Sequence, residues 1–416
     1  MIILLGACSK VETSKNDNET EEDTSTQETT EAKDNDSETK ESASTQEDSK
    51  KETEQVRGEI PDFGTLSDDI YSFQVEINGD LYQFPMKYSD FISYGWEFKG
   101  DDTESLDSYY KFKDTFENNG LECRADVINF DINARPISEC YVASITIDRY
   151  ETDKVDNFSL RLPKGIEYDK ATLEDVQEAY GIPSDIYDGD STTALTYKLE
   201  IYREIQIRFS KETNAIDSVE IRNLVVPDDF VESEASTDVP DIVGKYKAPD
   251  KLGEGFDTYT VEFGGDLYQV PAPVSNFIDN GWKVNKDDSE EIVSGRGSGF
   301  VSLMKDNQRL RVLCSNYSEG ATAIENCFVT TIKSGDSDNN TKITIPKNLT
   351  IGSSEADLEK ALTEVEHEKD DSSDSYTYYR IIPGESSLDN YEIIVRDGAI
   401  SKIEVNNSPK YSEFIK

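Results

Sequence analysis

The sequence predicts an α+β protein, with two tandem homologous units that each combine antiparallel sheet with short packed helices, after a disordered N-terminal segment. Three observations lead to this prediction. A 24-residue segment, Phe73–Trp96, recurs without a gap as Tyr259–Trp282, with thirteen identical positions. Each copy is followed by a helix-start pattern and then by alternating strand patterns, an order typical of α+β folds. The segment before the first copy lacks the apolar residues that a core requires.

The chain begins with an apolar run, small residues and a cysteine, in the sequence MIILLGACSK. Leu5-Gly6-Ala7-Cys8 resembles the lipobox of bacterial lipoproteins, although the apolar run is short and no basic residue precedes it. The resemblance implies that residues 1–8 are a signal remnant and that Cys8 is lipidated. It also implies an extracytoplasmic protein, anchored by lipid to the outer face of the cell membrane.

Residues 9–58 are an acidic linker in which Val11 and Val56 are the only large aliphatic side chains and aromatic residues are absent. Such a segment cannot bury enough apolar surface to offset the entropy of ordering, so we expect it to be disordered. The whole chain has a net charge of −45. This charge argues against nucleic-acid binding, because phosphate contacts need clustered Lys and Arg. It is compatible with a cationic partner or a metal ion.

Within the recurring segment, the glycines and the tryptophan predict scaffold and not a site. Asn-Gly at 78–79 and Gly-Gly at 264–265 are two-residue turn signals for tight hairpins. The register places Val75 opposite Tyr82, with one face packed and the other wet. Ser89 is predicted to cap a short helix that ends at a left-handed glycine, after which a tryptophan packs back on the helix. The predicted scaffold residues are Gly79, Gly95, Trp96, Gly265, Gly281 and Trp282.

The second part of each unit reads as a helix followed by an antiparallel meander. Thr172–Asp175 and Ser354–Asp357 are capping-box-like helix starts, and alternating strands follow both. The predicted divisions are the signal remnant 1–8, the acidic linker 9–58, the first unit 59–226, a second linker 227–245 and the second unit 246–416.

The run LPKGI…TLEDVQEAYGIPSD, from Leu162 to Asp185, carries a resemblance to known modules. It resembles the small α+β modules of the β-lactamase inhibitor protein and of BamE-type lipoproteins. The resemblance implies a helical pair packed against an antiparallel sheet and a role in binding other proteins. The second unit departs from the pattern, since it lacks the Gly-x-Pro after its helix. The whole-chain layout is similar to that of many lipoproteins of Gram-positive bacteria.

Sequence motifs for catalysis are absent. The one histidine, His367, lies in a charged stretch, and the HExxH, GxSxG and phosphate-loop motifs are missing. Ser294–Gly299, with the sequence SGRGSG, lacks phosphate-loop spacing and is predicted to be a flexible hairpin loop. We therefore expect no enzymatic activity, with a hydrolase that uses a carboxylate pair as the weakest alternative.

Four cysteines follow Cys8, two in each unit. A hairpin centred on Gly320-Ala321 would place Cys314 directly opposite Cys327, so these two thiols are candidates for a disulfide. We predict no cofactor, with calcium as the alternative, because two acidic clusters occupy equivalent places after the tryptophans. The members of these clusters are Asp101, Asp102, Glu104, Asp287, Asp288 and Glu290.

These features together predict a non-catalytic extracytoplasmic lipoprotein that acts as a protein-binding or inhibitory module. The alternative is a lipoprotein that binds a solute or a cell-wall glycan in a site between the two units. An exposed, aromatic-rich sheet face would favour a protein partner, whereas aromatic side chains in a cleft would favour the alternative.

Overall fold

The computed structural model describes residues 61–335 and 340–414. Of these residues, 42% lie in strands and 17% in helices. The predicted α+β class is therefore wrong, because the protein is a β-rich fold of several antiparallel sheets with few helices. The helices are too short to cover a sheet: the longest has eight residues, or about 12 Å at 1.5 Å per residue.

The strands before residue 227 are β1 (Gln74–Ile77), β2 (Asp80–Gln83), β3 (Met86–Lys87), β4 (Glu97–Phe98), β5 (Ser105–Leu106), β6 (Lys111–Asn118), β7 (Leu121–Ile128), β8 (Arg135–Pro136), β9 (Tyr141–Val142), β10 (Ser144–Asp148), β11 (Leu160–Leu162), β12 (Ile166–Glu167), β13 (Asp185–Asp188), β14 (Thr192–Glu200), β15 (Arg203–Ser210) and β16 (Ile216–Asn223).

The strands after residue 245 are β17 (Thr260–Phe263), β18 (Asp266–Gln269), β19 (Ala272–Pro273), β20 (Lys283–Val284), β21 (Ile292–Val293), β22 (Ser298–Lys305), β23 (Gln308–Ser315), β24 (Thr322–Ala323), β25 (Phe328–Val329), β26 (Thr331–Ser334), β27 (Ile343–Ile345), β28 (Leu349–Thr350), β29 (His367–Ser373), β30 (Tyr376–Ile381), β31 (Asn390–Arg396) and β32 (Ala399–Asn406).

The α-helices are α1 (Tyr88–Ser93), α2 (Arg149–Thr152), α3 (Leu173–Tyr180), α4 (Asp241–Lys245), α5 (Val274–Asp279), α6 (Glu355–Ala361) and α7 (Tyr411–Phe414). Single 3-10 turns lie at Ile70–Ser72, Ile137–Glu139, Pro163–Gly165, Phe256–Thr258, Lys286–Asp288, Ile324–Asn326 and Pro346–Asn348. In the described part of the chain, none of these helices has the length and apolarity needed to cross a bilayer.

The described residues before 227, the first half, form a four-stranded sheet in the order β12-β11-β1-β2 and a ten-stranded sheet whose main path is β13-β14-β15-β16-β10-β7-β6-β4. Those after 245, the second half, form a corresponding four-stranded sheet, β18-β17-β27-β28. Two five-stranded sheets, β19-β25-β23-β22-β20 and β26-β32-β31-β30-β29, replace the large sheet there. In the first half, β10 pairs with both β16 and β7 and so joins two groups of strands into one sheet. The strand at the corresponding place in the second half, β26, pairs with β32 alone among the described strands, so the two groups there remain separate sheets.

The predicted hairpin register is confirmed, since Val75 pairs with Tyr82. The prediction for Ser89 is wrong: Lys87 occupies the cap position of α1, and no side chain caps that helix. The predicted tryptophan packing is found in both halves, with ring centroids 5.3 Å apart for Phe91 and Trp96 and 6.3 Å apart for the equivalent pair. The φ angles of the scaffold glycines are 91° for Gly79, 94° for Gly95, 94° for Gly265 and 87° for Gly281.

The later helices begin where the sequence predicts but contribute little to the core. Thr172 and Asp175 form a reciprocal capping box at the start of α3, and the Ser354 hydroxyl accepts from a backbone amide at the start of α6. Each helix has one fully buried residue, Val176 in α3 and Leu358 in α6. The helical pair packed on a sheet, which the resemblance implied, is therefore not what fills the core.

Two large hydrophobic clusters fill the protein, one within residues 70–221 and one within residues 256–405. Trp96 and Trp282 are each 1% exposed, one in each cluster. Burial of apolar side chains of this size is the main favourable contribution to folding.

Backbone hydrogen bonds join loops of the two halves along a seam. The Gly295 amide donates to the Ile132 carbonyl at 2.8 Å, and the Ala134 amide donates to the Glu319 carbonyl at 2.8 Å. A Cβ atom on Gly295 would lie 1.9 Å from that Glu319 oxygen. The approach of the two backbones therefore requires glycine here. The predicted flexible loop at Ser294–Gly299 is instead bonded into the seam, and its last two residues belong to β22.

Two buried asparagines, Asn129 and Asn316, hold the loops that form this seam. Each donates its side-chain amide to three backbone carbonyls and accepts a backbone amide two residues on. The carbonyls belong to Leu106, Asp107 and Asn133 for Asn129, and to Val293, Ser294 and Gly320 for Asn316. Such local side-chain bonds satisfy backbone carbonyls in these loops and at the ends of β5 and β21.

Candidate functional site

The outward face of the β22–β23 hairpin carries large exposed apolar side chains. Phe300, Met304 and Leu313 are 44%, 43% and 47% exposed. They alternate with core residues along both strands, except that Ser302, on the same side as Phe300 and Met304, is buried under Arg309. The hairpin thus packs one face and presents most of the other. Cross-strand pairing places Phe300 opposite Leu313 and Met304 opposite Arg309. With Arg311, these residues form what we call the Phe300 face.

Two arginines lie on this face, held by one carboxylate. Asp288 accepts from the guanidinium of Arg309 and, at 3.2 Å, from Arg311. Desolvation acts to raise the pKa of Asp288, but the bonds from the two guanidiniums outweigh it and leave that pKa lowered. The Arg311 guanidinium also lies 5.1 Å from the centre of the Phe300 ring. The face thus combines apolar surface with oriented cationic donors.

A groove borders the Phe300 face. Glu290 connects them, because its amide donates to the Phe300 carbonyl at 3.0 Å and its carboxylate accepts from the Phe300 amide at 3.2 Å. The groove has a volume of about 450 Å³ and includes Ile292, Glu325 and the linker residue Ser236 in its lining. Ile292 is 44% exposed and extends the apolar surface from the sheet into the groove.

The corresponding hairpin of the first half, β6–β7, has the same strand lengths and the same pairing but a charged outward face. Its third strand residue is Lys113 where β22 has Phe300, and its seventh is Glu117 where β22 has Met304. Asp126 stands where β23 has Leu313. The fold therefore does not require an apolar face at this place.

Asp126 illustrates how the charged face is stabilised. Its carboxylate accepts from Lys111 at 2.8 Å and from the Ser144 hydroxyl at 2.6 Å. Burial acts to raise the pKa of Asp126, but the bonds from Lys111 and Ser144 outweigh it and hold the pKa below its usual value.

The acidic residues proposed as calcium ligands make separate contacts. Asp101 accepts from Thr103 within its own turn, and Asp102 accepts from the Tyr88 hydroxyl at 3.1 Å. In the second half, Asp288 bonds arginines and Glu290 bonds a backbone amide, as described above. Glu104 and Asp287 belong to the same two loops. Among the described residues, no three His, Cys, Asp or Glu side chains converge as a metal site would require.

Cys314 and Cys327 are both buried free thiols, but they are not directly opposite. Cys314 pairs with Val329, because the 3-10 turn Ile324–Asn326 shifts the returning strand. The two thiols are nevertheless neighbours: the interaction with Cys314, together with burial, raises the pKa of the Cys327 thiol. The disulfide between them stays a prediction.

Cys8 and the acidic linker 9–58 lie outside the described residues. A search of protein-family models finds no match to the chain, and a search of curated proteins finds no significant relative.

Sequence reasoning missed the Phe300 face. The strand sequence FVSLMK reads as nearly continuous apolar residues, so periodicity does not reveal which side chains face outward. The useful signal is the comparison of the two hairpins, since an apolar residue replaces a charged one at three equivalent positions of the same scaffold, although the carboxylate of Asp126 is itself buried.

Proposed function

We propose that this protein is a non-catalytic, protein-binding or inhibitory module, displayed outside the cell membrane by a lipid on Cys8. The observation that carries the proposal is the Phe300 face. Aromatic residues, Met and Arg are the side chains enriched where proteins bind one another. The β6–β7 face shows that the same scaffold is built with charged residues at these positions, so the apolar face calls for a functional explanation.

The grooves of the surface give less support to a small ligand held between the two halves. Five grooves have volumes from about 430 to about 760 Å³. Each of these five is lined by residues of one half, with or without residues of the linker 227–245, and none of them joins both halves. The geometry therefore favours a protein partner over a solute or glycan in a cleft between the units.

The test is a quantitative capture from cell-envelope extract with the full chain as bait. The Phe300→Ser/Leu313→Ser variant removes the centre of the face. The Lys113→Ser/Glu117→Ser variant changes two outward positions of the corresponding hairpin and is the matched control. A hot-spot residue at the centre of an interface costs at least about 2 kcal/mol when it is truncated, so loss of one such residue at Phe300 should weaken binding of a partner at least about tenfold.

The control variant should capture the same partner as the wild-type chain, because exposed ion pairs contribute little. Equal capture by all three chains would refute the proposed face. Failure of every chain to capture a protein would refute the protein-binding function. Membrane attachment is tested separately with Cys8→Ser, which should move the protein from the membrane fraction to the soluble fraction.

A further inference from the structure

The ten-stranded sheet ends at an open edge. Its terminal strand β13 pairs with β14 and, among the described residues, with no other strand. All four side chains of β13 are exposed, including Ile186 at 51% and Tyr187 at 62%. Ile182, just before the strand, is 96% exposed. An open edge with apolar side chains is a template for another strand.

The corresponding edge of the second half is protected. There the terminal strand is β29, whose sequence HEKDDSS contains no aliphatic or aromatic residue besides the histidine. Its register shifts between Asp370 and Ser373, and Lys369 bonds Glu359 at 2.7 Å. Charges and irregular pairing are the usual devices that keep an edge from pairing with another chain. Strand β13 is regularly paired and carries Ile186 and Tyr187 in its centre.

Charge selects which polypeptide this edge accepts. Strand β13 has the sequence Asp-Ile-Tyr-Asp, with Asp185 and Asp188 at its ends. A second copy added in antiparallel register would place Asp185 opposite Asp188, and like charges directly opposite destabilise a sheet. The acidic linker 9–58 would meet the same repulsion. Asp188 already accepts from Lys211 at 2.6 Å and from Thr193 at 3.0 Å. A basic segment would therefore gain its main new opposite-charge pair at Asp185 and add a second cation near Asp188.

We propose that β13 binds an extended segment of another protein as an added antiparallel strand, with two apolar residues bracketed by Lys or Arg. The basic residues lie opposite Asp185 and Asp188, and the apolar pair lies opposite Ile186 and Tyr187. Ile186 pairs with Leu195, a residue of the hydrophobic core, so an apolar residue opposite Ile186 continues that buried layer. Main-chain hydrogen bonds give such a complex its affinity and the side chains its specificity.

This inference rests on the proposed protein-binding function but uses a surface separate from the Phe300 face. The probe is an acetylated and amidated, fluorescently labelled peptide of sequence Gly-Thr-Lys-Val-Val-Lys-Thr-Gly. Its binding to the full chain is measured by fluorescence anisotropy. The control peptide has N-methyl groups on both valines, which keeps its charge but blocks main-chain pairing.

The wild-type chain should bind the probe at least tenfold more tightly than the N-methylated peptide. Ile186→Lys should reduce probe binding at least tenfold, while Glu368→Lys, at the protected edge, should leave it within twofold. Because Ile186 is exposed, both variants should keep the circular dichroism spectrum of the wild type. Phe300→Ser/Leu313→Ser should also bind the probe normally, which separates this inference from the proposed face.

Three outcomes would overturn the inference. Equal binding of the two peptides would mean that charge alone attracts the probe to an acidic protein. Unchanged binding by Ile186→Lys would place the peptide elsewhere. A dimer of the chain, seen by sedimentation and dissolved by Ile186→Lys, would identify a second copy as the occupant of the edge.

Discussion

Replacing Asn316 by alanine should destabilise the second half more than any exposed substitution there. Asn316 is 3% exposed, and its side-chain amide is within 3.2 Å of three carbonyls. Its Oδ1 accepts from the amide and the hydroxyl of Ser318. Two amide protons and one oxygen thus support about four bonds. At about 1 kcal/mol for each net bond, with some relaxation and water entry, Asn316→Ala should cost about 3 kcal/mol.

The assay is urea unfolding followed by tryptophan fluorescence in a Trp96→Phe background, which leaves Trp282 as the reporter of the second half. Asn276→Ala is the matched control, because the buried Oδ1 of Asn276 has no hydrogen-bond partner among the described residues. That control should change the free energy of unfolding by less than about 0.5 kcal/mol. A loss below about 1 kcal/mol for Asn316→Ala, or an equal loss in the control, would refute the reasoning.

Further expectations follow from the seam, the charged face and the thiols. Gly295→Ala should cost at least about 2 kcal/mol by urea unfolding and expose the seam to protease, whereas Gly244→Ala, with open space around it, should not. Asp126→Asn should cost about 1–2 kcal/mol at pH 7. Because the pKa of Asp126 is lowered in the fold, its contribution is present above about pH 4 and is lost as the pH falls through the folded value. Unfolding from pH 7 to pH 3 should therefore show the wild type converging on the variant. After incubation with oxidised glutathione and then unfolding in denaturant, Cys314 and Cys327 should both resist alkylation, and Cys327→Ser should restore alkylation of Cys314.

The sequence predicts correctly those features that local chemistry determines. The turn glycines determine the first hairpin, and Thr172 with Asp175 determines the start of α3. The Phe91–Trp96 packing also follows from short-range spacing. These interactions join residues within about ten positions of each other, so propensity and periodicity suffice to locate them.

Features that depend on distant pairing could not be predicted in the same way. The α+β class is wrong because it assumes that α3 and α6 pack across a sheet. In the structure, the sheets and the loops between them build most of the core. The register of Cys314 and Cys327 is wrong because a 3-10 turn lies within the connection. The Phe300 face depends on which side of a nearly continuous apolar strand the core occupies, and that is a property of the assembled sheets.

Site-specific photocrosslinking tests the central claim most directly. The photoreactive residue p-benzoylphenylalanine replaces Phe300 in one full-length chain and Lys113 in another, since these are the same position of two corresponding hairpins. After irradiation in cell-envelope extract, we expect one reproducible crosslinked protein from position 300 and none from position 113. The same crosslinked species from both positions, or no crosslink from position 300, would contradict the claim that the Phe300 face binds a protein.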